Sequence, residues 1–213
     1  MRGSSTAALS GRAMSPLRDV LTSHPKVVFV GINPSLRSEA VGHHFAGPGN
    51  PFWRLLYAAG LTPEPLTYAD DARLAELGMA MTNLCPRATR SASELERDEL
   101  ERGRRVLLRK IRRLRAELIV LVGVTLYQQL LGTTRRGTPG PGLKPDHIDG
   151  ARIFVLPNPS GLNASFPSFA AKLRWFKRLR RLLAASAEGG LATTRQLAPS
   201  SSAEAPRKSR QRV

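Results

Sequence analysis

The chain is nearly devoid of cysteine: Cys85 is the sole thiol among 213 residues. One cysteine closes neither a disulfide framework nor a cysteine-based zinc site within a chain, and it fits a reducing compartment. Long apolar runs are missing as well. No stretch approaches the roughly 20 residues of a membrane-spanning helix. The N-terminus has no convincing hydrophobic core of a secretory signal, so a cytoplasmic location is expected and no membrane partner. Acidic residues are scarce: 16 Asp and Glu face 33 Lys and Arg, giving a formal net charge of +17. That excess favours an anionic polymer as partner, with nucleic acid the leading class. The terminal segments supply little of it, since residues 1–14 carry +2 and residues 186–213 carry +3. Phosphate-cradling glycine patterns are absent too. Gly31 is followed neither by Gly-x-Gly-x-x-Gly nor by Gly-x-x-x-x-Gly-Lys, which argues against a nucleotide-binding protein. The four histidines (His24, His43, His44, His147) show no metal-ligand spacing with acids or cysteine, so no metal or cofactor is expected.

What is present is a core of alternating elements. Apolar residues make up 41% of the chain, enough for one domain. Residues 1–14 and 186–213 are small, polar and basic, and are expected to be unfolded tails around a domain at 15–185. Strands are predicted at Val27 to Gly31, Met79 to Leu84, Leu118 to Gly123 and Arg152 to Leu156. The third is apolar throughout and so buried on both faces. Helices are predicted at Pro51 to Gly60, at Asp71 to Leu77 and at Val124 to Leu131. A long one starts near Ser93, with Ser93-Glu94-Leu95-Glu96 as its capping box, and reaches Arg115. The last, Ser168 to Ala185, places Phe169, Leu173, Phe176, Leu179 and Leu183 at helical spacing. Strands alternating with helices indicate a parallel sheet covered on both sides.

Two strands run into loops punctuated by proline and glycine. Gly31-Ile32-Asn33-Pro34 follows Val27-Val28-Phe29-Val30, and Asn158-Pro159-Ser160-Gly161-Leu162 follows Ile153-Phe154-Val155-Leu156. Parallel strands would bring both loops to one sheet edge, where open α/β sheets bind ligands. Asn33 taken alone reads as a turn residue, because Asn-Pro is a common turn dipeptide. Its neighbourhood points elsewhere. The stretch His43-His44-Phe45-Ala46-Gly47-Pro48-Gly49-Asn50-Pro51-Phe52-Trp53 is poor core material and good pocket lining.

Together these segments resemble the mismatch-specific uracil-DNA glycosylases, the Mug-type branch of the uracil-DNA glycosylase superfamily, over roughly Val27 to Leu183. The resemblance implies a three-layer α/β/α sandwich around a short central parallel sheet. It implies a monofunctional hydrolase that flips uracil out of a G·U or G·T-type mispair, cuts its glycosidic bond and leaves an abasic site. Thymine and exocyclic-adduct bases are further expected substrates. Asn33 would position the attacking water. Asn83, at a strand end on the same edge, would assist catalysis or touch the base, though a strand-end cap is an equal reading. Phe45 would stack on the base, with Gly31, Ile32 and Asn158 completing the pocket. Ser38 and Ser160 would contact phosphates, Leu162 would fill the hole left by the flipped nucleotide, and Gly161 and Asn163 would lie against the duplex.

An amide at position 33 cannot act as a general base, so slow turnover and a preference for good leaving groups are expected. Ser35 stands where a glycine is usual, and Asn163-Ala164 where a Ser-Arg pair is usual. The second departure weakens the case for strict mismatch specificity, leaving a broad uracil-DNA glycosylase as the alternative. A non-catalytic DNA-binding protein is the other alternative. No lysine is placed as a Schiff-base nucleophile. A monomeric enzyme of the bacterial cytoplasm, with duplex DNA as its partner, is expected.

Overall fold

The strands form because their residues are β-branched or otherwise bulky and apolar, suited to a sheet buried on both faces. The computed structural model describes residues 16–131, 140–160 and 165–196. Within these, β1 (Val27–Gly31), β2 (Met79–Asn83), β3 (Leu118–Val122), β4 (Gly142–Ile148) and β5 (Ala151–Leu156) make one five-stranded sheet in the order β2-β1-β3-β5-β4. β2, β1, β3 and β5 are parallel. β1 and β3 are buried at every residue.

Alternate residues feed two cores, as the two-residue strand period requires. On one face Val28, Val30, Ile119, Leu121, Ile153 and Val155 pack with Leu107 and Ile111 of α3 (Arg97–Leu114) and with Leu126 and Leu130 of α4 (Val124–Leu131). On the other, the Phe29 ring meets Phe52 of α2 (Phe52–Ala58) edge to face at 5.6 Å. Phe52 meets Phe176 of α5 (Phe169–Gln196) at 6.0 Å. Helices thus cover both faces, as expected from the alternation of elements. The chain divides into a unit up to Arg180 and a C-terminal unit Arg181–Val213.

Several expectations need correction. β4 was not foreseen: it pairs antiparallel with β5 at the sheet edge, and its residues alternate between exposed and half-buried. Pro145 within it also argues against a strand, yet proline is tolerated at an edge. The six-residue α1 (Leu36–Val41) was not foreseen either. The helix expected at Asp71 to Leu77 is a 3₁₀ segment, Tyr68–Leu74, opened by a Thr67–Asp70 capping box. The Ser93–Glu96 box is replaced by two others, Ser91 with Glu94 and Glu96 with Glu99, so the long helix begins at Arg97. α5 continues to Gln196, past the boundary expected at 185. The tails expected at 1–14 and, beyond Gln196, at 197–213 lie outside the described residues. No described helix is long and apolar enough to cross a membrane.

An N-terminal strap lies against the free edge of β2. Val20 and Met81 exchange two backbone hydrogen bonds, of 2.9 and 2.7 Å. Thr82 Oγ1 donates to Asp19 at 2.6 Å and accepts from Lys110 Nζ at 2.7 Å, and the ammonium also bonds the Asp19 carboxylate.

Candidate active site

The carboxyl ends of β1, β2 and β5 open into a cleft of about 240 Å³. Gly31, Ile32, Asn33, Ser38, Phe45, Asn83, Asn158 and Ser160 all line it. Every site residue proposed from sequence that lies within the described residues therefore meets at one place. Gly161, Leu162 and Asn163 lie outside them.

Asn33 sits just beyond β1, and its side chain is clamped on one side. The two Nδ2 hydrogens are shared among three acceptors, Thr89 Oγ1 at 2.7 Å, the Arg87 carbonyl at 2.9 Å and the Pro34 carbonyl at 3.2 Å. The amide orientation follows from its partners. Carbonyl oxygens only accept, and the Thr89 hydroxyl proton is directed to the Ser91 carbonyl at 2.8 Å, so Thr89 Oγ1 also accepts. The nitrogen must face all three. Oδ1 is thereby turned away, and it has no hydrogen-bond partner among the described residues. A fixed acceptor with free lone pairs on a cleft-lining residue is suited to hold a water.

The clamp is itself anchored. The Arg87 guanidinium grips the Glu99 carboxylate through Nε at 2.6 Å and Nη2 at 2.7 Å, and Nη2 also donates to the Glu94 carbonyl. Arg87 beside it, with the Glu96 backbone N–H, holds the Glu99 carboxyl down to about 2. Thr89 is buried. Neither residue belongs to a recognisable motif, and sequence reading missed both.

Phe45 takes a left-handed backbone, with φ at +52°. That conformation is uncommon for a bulky residue and is held only where its surroundings over-determine it. Here they do. The buried Asp71 carboxylate accepts the His44 backbone N–H at 2.9 Å and meets His43 Nδ1 at 3.0 Å. Trp53 Nε1 donates to the His44 carbonyl, and the Ala46 N–H donates to Ser38 Oγ. The Phe45 ring stacks on Phe52 with centroids 3.9 Å apart and planes 15° apart. One ring face is covered, which leaves the other for a flat ligand.

Asp71 was read from sequence as part of a helix, and its clamp on the two histidines went unforeseen. His44 is buried, with Nε2 3.0 Å from the Arg18 carbonyl. Burial pushes its imidazole below the usual 6.5, against the raising effect of that carbonyl.

For Ser38 a phosphate contact through hydroxyl or backbone was expected, and the structure bears on the hydroxyl alone. It is buried, and Oγ accepts from Ala46 N–H and Ser35 Oγ, so the hydroxyl pins the loop instead. Ser35 has an ordinary extended backbone (φ −74°) and caps α1 by accepting the Ser38 N–H. The usual glycine is therefore not needed for conformation at that position.

Asn83 closes β2 in register with Gly31. A Cβ on Gly31 would lie 2.4 Å from Asn83 Oδ1 and 3.8 Å from Phe45 Cζ. Glycine at 31 thus lets the Asn83 amide lie against the β1 backbone. At the third strand end, Asn158 Oδ1 accepts the Ser160 N–H at 3.0 Å, a local turn. The Ser160 carbonyl accepts from Nζ of Lys172, a buried residue of α5, at 3.2 Å. The burial of Lys172 makes it an internal brace for the loop. The described residues contain no cluster of three or more His, Cys, Asp or Glu able to hold a metal ion.

The sheet, the cleft at its carboxyl edge and the residues gathered there agree with a comparison to known families. A family model of the uracil DNA glycosylase superfamily matches residues 19–183, most of the chain. The chain therefore belongs to the uracil DNA glycosylase superfamily, and its class is that of a hydrolase that removes uracil from DNA.

Proposed function

We propose that this glycosylase is monofunctional and acts on uracil, and more slowly on thymine or exocyclic-adduct bases, mispaired with guanine. The observation that carries the reading is the one-sided clamp on Asn33. A base inside a duplex is out of reach, so the nucleotide must flip, at a cost of a few kcal/mol that is smallest for a mispair. Phe45 would stack on the base with the ring face that Phe52 leaves open. Stacking of this kind is worth ~1–3 kcal/mol.

Asn33 Oδ1 then accepts a hydrogen bond from a water and aims its oxygen at C1′. The amide cannot take the proton. The C1′–N bond therefore breaks first, its electron pair leaving with the base, and water adds to a cationic sugar carbon. The water proton passes to solvent. Such a route favours bases that are stable as anions. No lysine is among the described residues that line the cleft, which supports hydrolysis without strand cleavage.

Single-turnover excision tests this on duplexes with one G·U, A·U or G·T pair and on single-stranded uracil. Fast G·U excision, slower G·T excision and little from A·U or single strands is expected. Equal rates on all uracil substrates would give a broad uracil glycosylase, as the absent Ser-Arg pair at 163–164 allows. Tight, salt-sensitive DNA binding without excision would leave only a binding protein.

A further inference from the structure

The base cleft has a neighbour. A second cavity, of about 460 Å³, lies between the N-terminal strap and α3, with Leu17, Leu84, Val106 and Gly103 among its lining residues. Leu17 and Asn83 line both cavities. Leu17 lies outside residues 19–183, the span matched by the family model.

Leu17 belongs to no helix or strand, yet its position is fixed. The adjoining Arg18 carbonyl is bonded by His44, Asp19 by Thr82 and Lys110, and Val20 by Met81. Three successive residues are thus fastened to the site loop, to α3 and to β2. Such fastening holds the half-buried Leu17 side chain where the two spaces meet.

The second cavity is not built for an ion. Asp19 and Lys110, both in its wall, neutralise each other, and Glu99 is engaged by Arg87. Arg102, the remaining charged residue of the lining, is exposed to solvent. An uncharged, largely apolar group suits this space.

We propose that Leu17 is a specificity-determining residue. It closes the Asn83 side of the base cleft and so limits the substituent a flipped pyrimidine can carry there. When Leu17 is cut back, an uncharged bulky substituent extends into the second cavity. This rests on the cleft being the base pocket, as argued above. Steric discrimination by a single aliphatic group is of the order of tenfold to a hundredfold.

The experiment is single-turnover excision of uracil, 5-(1-propynyl)uracil and the fused bicyclic pyrrolocytosine, each opposite guanine, by full-length protein. Each variant is scored by its ratio of bulky-base to uracil excision relative to wild type, which cancels leaving-group differences. Leu17→Ala should raise the ratio about tenfold or more for at least one bulky base. Leu17→Val should raise it less, Leu17→Met should leave it unchanged, and Leu17→Trp should lower it. If Leu17→Ala loses uracil excision, Leu17→Val decides. An unchanged ratio with uracil excision intact overturns the proposal and leaves the glycosylase reading standing. Absence of uracil excision by wild type overturns both.

Discussion

Asn33 follows β1 by two residues and Asn83 ends the adjacent β2, so two identical side chains border one cleft. Their surroundings differ. Asn33 has its nitrogen held by three acceptors, and its oxygen alone is available. Asn83 has no side-chain hydrogen bond among the described residues, and rests against a backbone kept bare by Gly31. A group that must hold water at a fixed angle gains from being immobilised before the substrate arrives. A group that reads the edge of a base gains from keeping both donor and acceptor free. Under the proposed function, the clamp suits Asn33 to the reacting water, and its absence suits Asn83 to the ligand.

The comparison can be broken from either side. Among changes to the surroundings of the two amides, the largest effect is expected from Gly31→Ala. Its new Cβ would displace the Asn83 amide while leaving the Asn33 clamp in place. A misplacement of about 1 Å at a site can cost ~10²-fold in rate. Single-turnover excision should fall on that scale, with a small change in Tm. Unchanged excision would show that Asn83 has no part in the site.

Thr89→Val comes next. It keeps the shape and removes the hydroxyl that holds Asn33. One neutral hydrogen bond is worth about 1 kcal/mol, so kcat should fall about five- to tenfold with KM steady, and Thr89→Ser should restore it. Equal loss in the Ser and Val variants would mean that Thr89 acts only through packing.

The smallest effect concerns pH. The His44 imidazole is held below its usual 6.5 by burial. Below that pH the unfolded chain takes up a proton that the folded chain refuses, so stability falls as pH drops from 6.5 through the lower folded value. Above 6.5 the term is constant. Melting followed from pH 8 to 5 should show a steeper acid-side decline in wild type than in His44→Gln. Parallel curves would remove His44 from that account.

Much of this site could be read in the sequence, because the chemistry-bearing residues sit in short motifs directly after apolar strands. Asn33, Phe45, Asn83, Asn158 and Ser160 were placed by motif and strand end, and the described structure gathers them. What could not be read is what holds them. Arg87, Thr89, Asp71 and Lys172 act from 28 residues away or farther in three of the four cases' key contacts, as with His43 and Asp71 or Asn33 and Thr89, and no local pattern encodes such a contact. Ser38 carries the right chemistry for phosphate, but the turn of α1 buries it. β4 escaped because Pro145 and its exposed alternation do not look like a strand, and an edge position tolerates both. The two real capping boxes flank the one expected at Ser93, since Ser91, Glu94, Glu96 and Glu99 offer overlapping serine and acid spacings.

The central claim is that Asn33 positions water while Asn83 engages the base. The most direct measurement is single-turnover excision from a G·U duplex, together with duplex affinity, for wild type, Asn33→Ala and Asn83→Ala. The account predicts that Asn33→Ala loses ~10²–10³ in the excision rate, the scale of removing one preorganised catalytic hydrogen bond, with affinity nearly unchanged. Asn83→Ala should lose affinity for the flipped-base complex as well as rate. A wild-type rate in Asn33→Ala, or a loss of affinity equal to that of Asn83→Ala, would contradict it.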